Sequence, residues 1–110
     1  MVDAEARRII EDPSEEMVFS AVSVWEVAIK SSMERLDFQV DPRLFRRGLL
    51  EHGYQELGIT GAHAAAVDLL PPIHKDPFDR LLVAQVQIEA LTLLTADERI
   101  GRYTGSIQVI

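Results

Sequence analysis

The sequence predicts an α/β domain with a short parallel sheet flanked by helices. Short apolar runs alternate with stretches of helical period along the chain, and one run, Leu91 to Thr95 (LTLLT), is apolar on both faces as a central parallel strand should be. The apolar fraction, 47%, supports a folded globule rather than a disordered chain. At 110 residues the expectation is a single domain over residues 1–110, long enough for one hydrophobic core.

The elements follow in order. Val2 to Glu11 reads as a charged amphipathic helix stopped by Pro13, and Met17 to Ser20 (MVFS) as a short strand. In the next stretch, SVWEVAIKSSM, Val24, Val27, Ala28 and Ile29 mark a buried helix that fades by Met33, with Ser23 and Glu26 in capping-box spacing at its start. Asp41 and Pro42 open a helix from Arg43 to Glu51, which Gly53 closes. A brief strand lies in YQELGIT and a helix in GAHAAAVDLL, ending at Pro71 and Pro72. The helix from Phe78 to about Ala90 carries Leu81, Leu82, Val83, Val86 and Ile88, an apolar load on more than one face that predicts packing on two sides. After LTLLT come a short helical turn and a terminal strand in SIQVI; no repeat, low-complexity segment or linker interrupts the pattern.

Composition narrows the function classes. Without cysteine there is neither a disulfide framework nor a thiolate metal site, and a cytoplasmic location is expected. No apolar run approaches the roughly 20 residues of a membrane span, and the amino terminus does not resemble a signal peptide. A net charge of −7 argues against holding nucleic acid by bulk attraction, but not against a nuclease whose carboxylates become cationic once a metal arrives. Arg43, Arg46 and Arg47 cluster either as a solvated helix face or as a phosphate or partner contact.

The chemistry-bearing residues are acids near helix starts. In HKDPFDRLLVAQ, Asp76 reads as an N-cap, Pro77 as the first helical residue, and Asp79 as the acid three positions on, of capping-box type. Glu26 follows the MVFS strand, and Asp97 lies two residues after Thr95, with Thr95 and Glu98 again in capping-box spacing. In an open parallel sheet, helices that follow or feed a strand begin at its carboxyl edge, so Glu26, Asp79 and Asp97 are expected on the one edge where such proteins bind ligands. Converging carboxylates repel unless a cation joins them, and hard oxygen donors suit Mg²⁺ or Mn²⁺. The competing reading is three independent helix starts, each favouring an acid at the positive end of its dipole.

The blocks FSAVSVWEVAIK, IHKDPFDRLLVAQ and LTLLTADERI resemble, in order and spacing, those of PIN-domain proteins, particularly the ribonuclease toxins of VapBC toxin–antitoxin pairs. The resemblance covers nearly the whole chain. It implies a three-layer PIN-like fold in which four acids at the carboxyl sheet edge bind Mg²⁺ or Mn²⁺ and support hydrolysis of RNA phosphodiesters. By motif, Glu26 matches the second acid, Asp79 the third and Asp97 the fourth. Thr95 matches the supporting hydroxyl, able to bond a carboxylate or water. Asp76 and Arg80 take supporting roles, Arg80 by orienting Asp79, contacting phosphate or forming a structural ion pair. The implied partners are RNA, a cognate VapB-type antitoxin and a second copy in a homodimer, with no membrane.

The match departs from the family at the start. The family's first central strand, ending in the first acid, has no counterpart before MVDAEARRII, and Asp3 lies in the wrong context to replace it. Two expectations follow: an active nuclease from a longer natural chain, or a catalytically impaired PIN-fold module that binds an antitoxin or dimerises. A gap in the sheet would lower stability or be filled by another segment or chain.

Other residues are weighed alongside. His74 could contact substrate or a carboxylate, with a structural hydrogen bond the plainer reading and no second histidine nearby to make a metal site. His63 reads as structural and His52 as a helix-end residue, while Trp25 suits core or interface better than base stacking. The stretch Phe38 to Leu50 either contributes to an antitoxin groove, as the resemblance suggests, or packs ordinarily through Leu44, Leu49 and Leu50.

Overall fold

The computed structural model describes residues 4, 8, 11–12, 15–33, 40–95 and 97–109. Most of the predicted first helix, Val2 to Glu11, lies outside these residues, and the three described positions within it, Ala4, Arg8 and Glu11, are helical. The described elements are β1 (Val18–Ser20), α1 (Ala21–Ser32), α2 (Pro42–Glu51), β2 (Gln55–Leu57), α3 (Gly61–Ala66), α4 (Pro77–Glu89), β3 (Leu93–Thr95) and β4 (Ile107–Val109), with 3-10 turns at Val67–Leu69 and Ile100–Arg102. This is the predicted mixed α/β class with short parallel strands. The chain divides into two compact units, one of residues 16–58 and one of residues 1–15 and 59–110.

In the unit of residues 16–58, β1 and β2 pair in parallel, with Val18, Phe19 and Ser20 opposite Gln55, Glu56 and Leu57. Chain direction turns abruptly at Ser20, whose extended backbone (φ −93, ψ 144) and side chain, accepting from the Val22 N–H at 3.0 Å, cap α1. The helix therefore starts three residues before the expected Ser23. That shift removes the predicted Ser23/Glu26 capping box and puts Glu26 in the second turn. Nor is α1 a buried helix: Val22 is fully enclosed, Val24, Val27 and Ala28 are half-buried, and Ile29 is exposed. With α2 and β1 as its neighbours in this unit, α1 has faces left over that carry the exposed side chains. α2 opens at Asp41 and Pro42 as expected, and Gly53, at φ 86, takes the left-handed conformation that turns the chain toward β2. Part of the apolar stretch from Phe38 falls outside the described residues; within it, Leu44 is 58% exposed, so ordinary packing does not account for it.

In the unit containing residues 59–110, β3 and β4 pair in parallel, Leu93 opposite Ile107 and Thr95 opposite Val109. The described strands thus form two two-stranded pairs rather than one hydrogen-bonded sheet. The core here gathers Leu70, Val83, Ala84, Ile100 and Tyr103, with Ala66, Val67, Ile73, Leu93 and Ile107 packed around it. Full burial of a side chain such as Val83 contributes on the order of 1.5–3 kcal/mol. α4 buries Leu81, Val83, Ala84, Gln85 and Val86, which span more than one face and bear out its expected two-sided packing. Gly101 permits a close approach, because a Cβ there would meet Val109 Cγ2 at 2.7 Å.

His63 is the buried polar centre of this packing. Its backbone N–H donates to Thr60 Oγ1 at 3.2 Å while the Thr60 N–H donates back to its Nδ1 at 3.0 Å, a capping box with histidine in the usual Glu position. Its Nε2 reaches Glu89 Oε2 at 2.9 Å, which ties α3 to α4 and gives His63 its structural role. His52, as expected, ends α2.

Candidate metal centre

α4 begins as the sequence predicts. Asp76 is the N-cap and its Oδ1 accepts from the N–H groups of Phe78 (2.8 Å) and Asp79 (3.3 Å), with Pro77 in the first turn. The expected reciprocal half of the box is made differently. The Asp76 N–H donates not to Asp79 but to His74 Nδ1, at 3.0 Å. Asp79 instead turns its carboxylate toward the far side of the same ring, where Oδ2 lies 3.3 Å from His74 Nε2.

Asp97 reaches that ring from the other direction. β3 ends at Thr95, whose hydroxyl accepts the Asp97 N–H at 3.1 Å and fixes the turn that carries Asp97. Residues 98–99 form a turn leading to the 3-10 turn at Ile100–Arg102, the short helical turn expected after LTLLT; among the described residues no Glu98 contact completes a Thr95/Glu98 box. Asp97 Oδ2 lies 2.9 Å from His74 Nε2, so one buried imidazole nitrogen faces two carboxylates. Ligand atoms of His74, Asp79 and Asp97 all lie within 4.8 Å of one another.

The surroundings hold this arrangement in place. The His74 N–H donates to the Tyr103 hydroxyl at 2.9 Å. Arg80 points away from both acids: its guanidinium donates to the carbonyls of Val67 (3.0 Å), Pro71 (3.1 Å) and Leu70 (3.4 Å) and reaches the Tyr103 hydroxyl at 3.4 Å. A rigid fork of five donors suits this clamp on carbonyls left over where the preceding helical segment ends. Among the described residues no buried side-chain nitrogen or oxygen lacks a hydrogen-bond partner.

Arg99 supplies a cation at Asp97. Its backbone N–H and Nε bond Asp97 Oδ1 at 2.9 and 3.3 Å, and its Nη2 bonds Oδ2 at 3.2 Å. The Arg99 side chain, then its backbone N–H, then His74 hold the Asp97 carboxyl well below the usual carboxylate range. Arg99 is raised in return, chiefly by Asp97 and also by Asp79 and Asp76.

Of the residues named from sequence, the structure brings together Asp79 and Asp97, with Asp76 and Thr95 setting their backbones and Arg80 setting the loop before them. Glu26 belongs to the other unit. There it pairs with Lys30 one turn on, at 2.7 Å, with its side chain 21% exposed. A carboxylate contact for His74 is weighed from sequence behind a structural hydrogen bond, while Arg99 and Tyr103 are not named there at all. The only signals were the lone histidine two residues before the cap and the arginine two residues after the final acid.

The chain matches the PIN domain family over residues 3–105. It belongs to that family. Neither the comparison with curated proteins nor that with solved structures gave a match. Membership of the PIN family points to nuclease activity in general; PIN domains generally depend on divalent metal ions, commonly bind RNA and often partner with antitoxins. In this PIN domain the donor set fits such an ion, since two carboxylates converge with no thiolate present, and hard divalent cations commonly use one or two carboxylates plus water and substrate oxygens. No helix among its described residues is long and apolar enough to cross a membrane.

Proposed function

We propose that this PIN domain is a metal-dependent endoribonuclease, the VapC-type toxin of a type II toxin–antitoxin pair, with Asp79 and Asp97 as ligands for Mg²⁺ or Mn²⁺. The convergence of Asp79 and Asp97 on one buried ring carries this reading. Helix caps alone need no such meeting, because each cap is satisfied within its own turn. A bound divalent ion supplies a water of lowered pKa and offsets charge on the phosphate oxygens. The chain's own residues prepare for it: Asp76 and Thr95 fix the backbones of Asp79 and Asp97, and Arg80 and Tyr103 fix the His74 loop. Arg99 neutralises Asp97 until a cation competes for the same oxygens.

The test is cleavage of single-stranded RNA with Mg²⁺ or Mn²⁺ and with chelator. Cleavage is expected only with metal, and Asp79→Asn with Asp97→Asn is expected to abolish it. Cleavage that survives the double substitution overturns the assignment.

A second reading, a catalytically impaired module that binds an antitoxin or dimerises, draws on a different surface. Trp25, Ile29 and Met33 stand at i, i+4 and i+8 on α1 and its C-cap, 49%, 39% and 62% exposed, an apolar stripe of the kind that receives a partner helix. The same stripe serves a toxin neutralised by an antitoxin, so only metal-dependent cleavage separates the two readings.

A further inference from the structure

His74 can stand in the centre in two ways, as a third metal ligand or as a hydrogen-bond donor to Asp97 with Asp79 alongside. The hydrogen bonds around its ring decide between them. A ligating histidine offers a bare nitrogen to the ion and donates its other ring N–H to an acceptor. Here the other nitrogen, Nδ1, faces a donor, the Asp76 N–H at 3.0 Å, and so carries no proton itself. The ring proton is therefore on Nε2, donated to Asp97 Oδ2 at 2.9 Å, with Asp79 Oδ2 3.3 Å from the same nitrogen. Turning the ring to free Nε2 would break the contact at the α4 cap, and the cap is fixed by Phe78 and Asp79 of the helix it starts. The backbone is no freer, because the His74 N–H is held by Tyr103 and its carbonyl lies 3.5 Å from Arg80 Nη1.

Resting on the metal-centre reading above, we propose that His74 is a positioning residue that donates Nε2–H to Asp97, keeps the Asp79 carboxylate beside the same nitrogen, sets the separation of the two acids before a cation arrives, and stays outside its coordination sphere. Two carboxylates this close repel, and the Nε2–H donated to Asp97, beside the Arg99 guanidinium on the same carboxylate, offsets that repulsion in the ion-free protein. The centre then presents oxygen donors only. It lacks the preference for Zn²⁺ or Ni²⁺ over Mg²⁺ that an imidazole ligand confers.

The test combines long-range ¹H–¹⁵N NMR of the His74 ring with calorimetric titration of Mn²⁺ and Zn²⁺. Wild-type protein is expected to show the Nε2–H tautomer without metal and to keep that proton when Mg²⁺ is added. His74→Ala is expected to weaken Mn²⁺ binding by about 10–100-fold, the usual loss for an outer-shell partner. His74→Gln, whose amide donates near the position of Nε2, restores most of it, and this variant carries the comparison should the alanine variant fail to fold. An Nδ1–H tautomer, loss of the Nε2 proton on Mg²⁺ addition, strong selectivity for Zn²⁺, or unchanged Mn²⁺ affinity in His74→Ala overturns the proposal. Wild-type protein that binds no divalent ion overturns the metal-centre reading along with it; Mn²⁺ binding that is equal in wild type and His74→Ala removes the role of His74 alone.

Discussion

Two helices of this chain open with the same dipeptide, and only one opening belongs to a site. Asp41 and Pro42 start α2, and Asp76 and Pro77 start α4. In each the aspartate accepts the N–H two residues on, Arg43 at 2.9 Å and Phe78 at 2.8 Å. The difference lies one turn into the helix and far away in sequence. Three residues after Asp41 stands the exposed Leu44; three residues after Asp76 stands Asp79, facing a ring that also meets Asp97 from the end of β3. An Asp-Pro start is thus a local device that any helix can use. It becomes part of a site when distant chain returns acids and a donor to the same mouth.

That contrast can be broken experimentally, most sharply at the third position. Asp79→Asn alone is expected to remove metal-dependent RNA cleavage, whereas Leu44→Asp, on the exposed face of α2, should leave cleavage unchanged and shift stability by no more than about 0.5 kcal/mol. Equal losses of cleavage would erase the distinction between the two helix starts.

The caps themselves should differ less. Asp76→Ala is expected to cost about 1–2 kcal/mol in thermal or denaturant unfolding and to weaken Mn²⁺ binding, because the His74 contact is seated on that cap. Asp41→Ala should cost about 0.5–1 kcal/mol and leave Mn²⁺ binding as it was. Titration calorimetry on both variants, alongside melting curves, makes the comparison; matched Mn²⁺ affinities would uncouple the cap from the centre.

The smallest effect concerns how α2 is held. Arg46 forms a two-armed pair with Glu56 on β2, Nε to Oε2 at 2.6 Å and Nη2 to Oε1 at 3.0 Å, and the Arg46 hydrogen bond lowers the Glu56 pKa. A lowered folded-state pKa contributes stability that is present above the unfolded value, near 4.3, and is lost as pH falls through the folded value. The melting temperature should therefore fall slightly less on acidification in Glu56→Gln than in wild type, with identical slopes counting against the pair.

Local signals were legible in the sequence and long-range ones only in part. The Asp-Pro starts, Gly53 after α2 and the strand at LTLLT are set by short-range preferences, and the structure has them near the expected positions. The helix after MVFS began early because Ser20 and Ser23 are both competent caps, and only the end of β1 selects the first. Parallel-sheet topology predicts Glu26, Asp79 and Asp97 on one edge, and of these the structure brings Asp79 and Asp97 together. The role of His74 does not follow from that topology, since a lone histidine carries no spacing signal and its meaning depends on which atoms face each nitrogen. The charge of Arg80 suggests an acid or phosphate partner, but uncapped carbonyls at Val67, Leu70 and Pro71 absorb its donors.

Tyr103 joins the apolar core to the acidic centre. Its ring lies in the apolar cluster with Leu70, Val83, Ala84 and Ile100, and its hydroxyl holds the His74 amide at 2.9 Å. The side chain is a lever with one end in oil and the other at the acids. How well the core fits together is in this way transmitted to where the two carboxylates stand, so the alignment of the centre serves as a gauge of the packing beneath it.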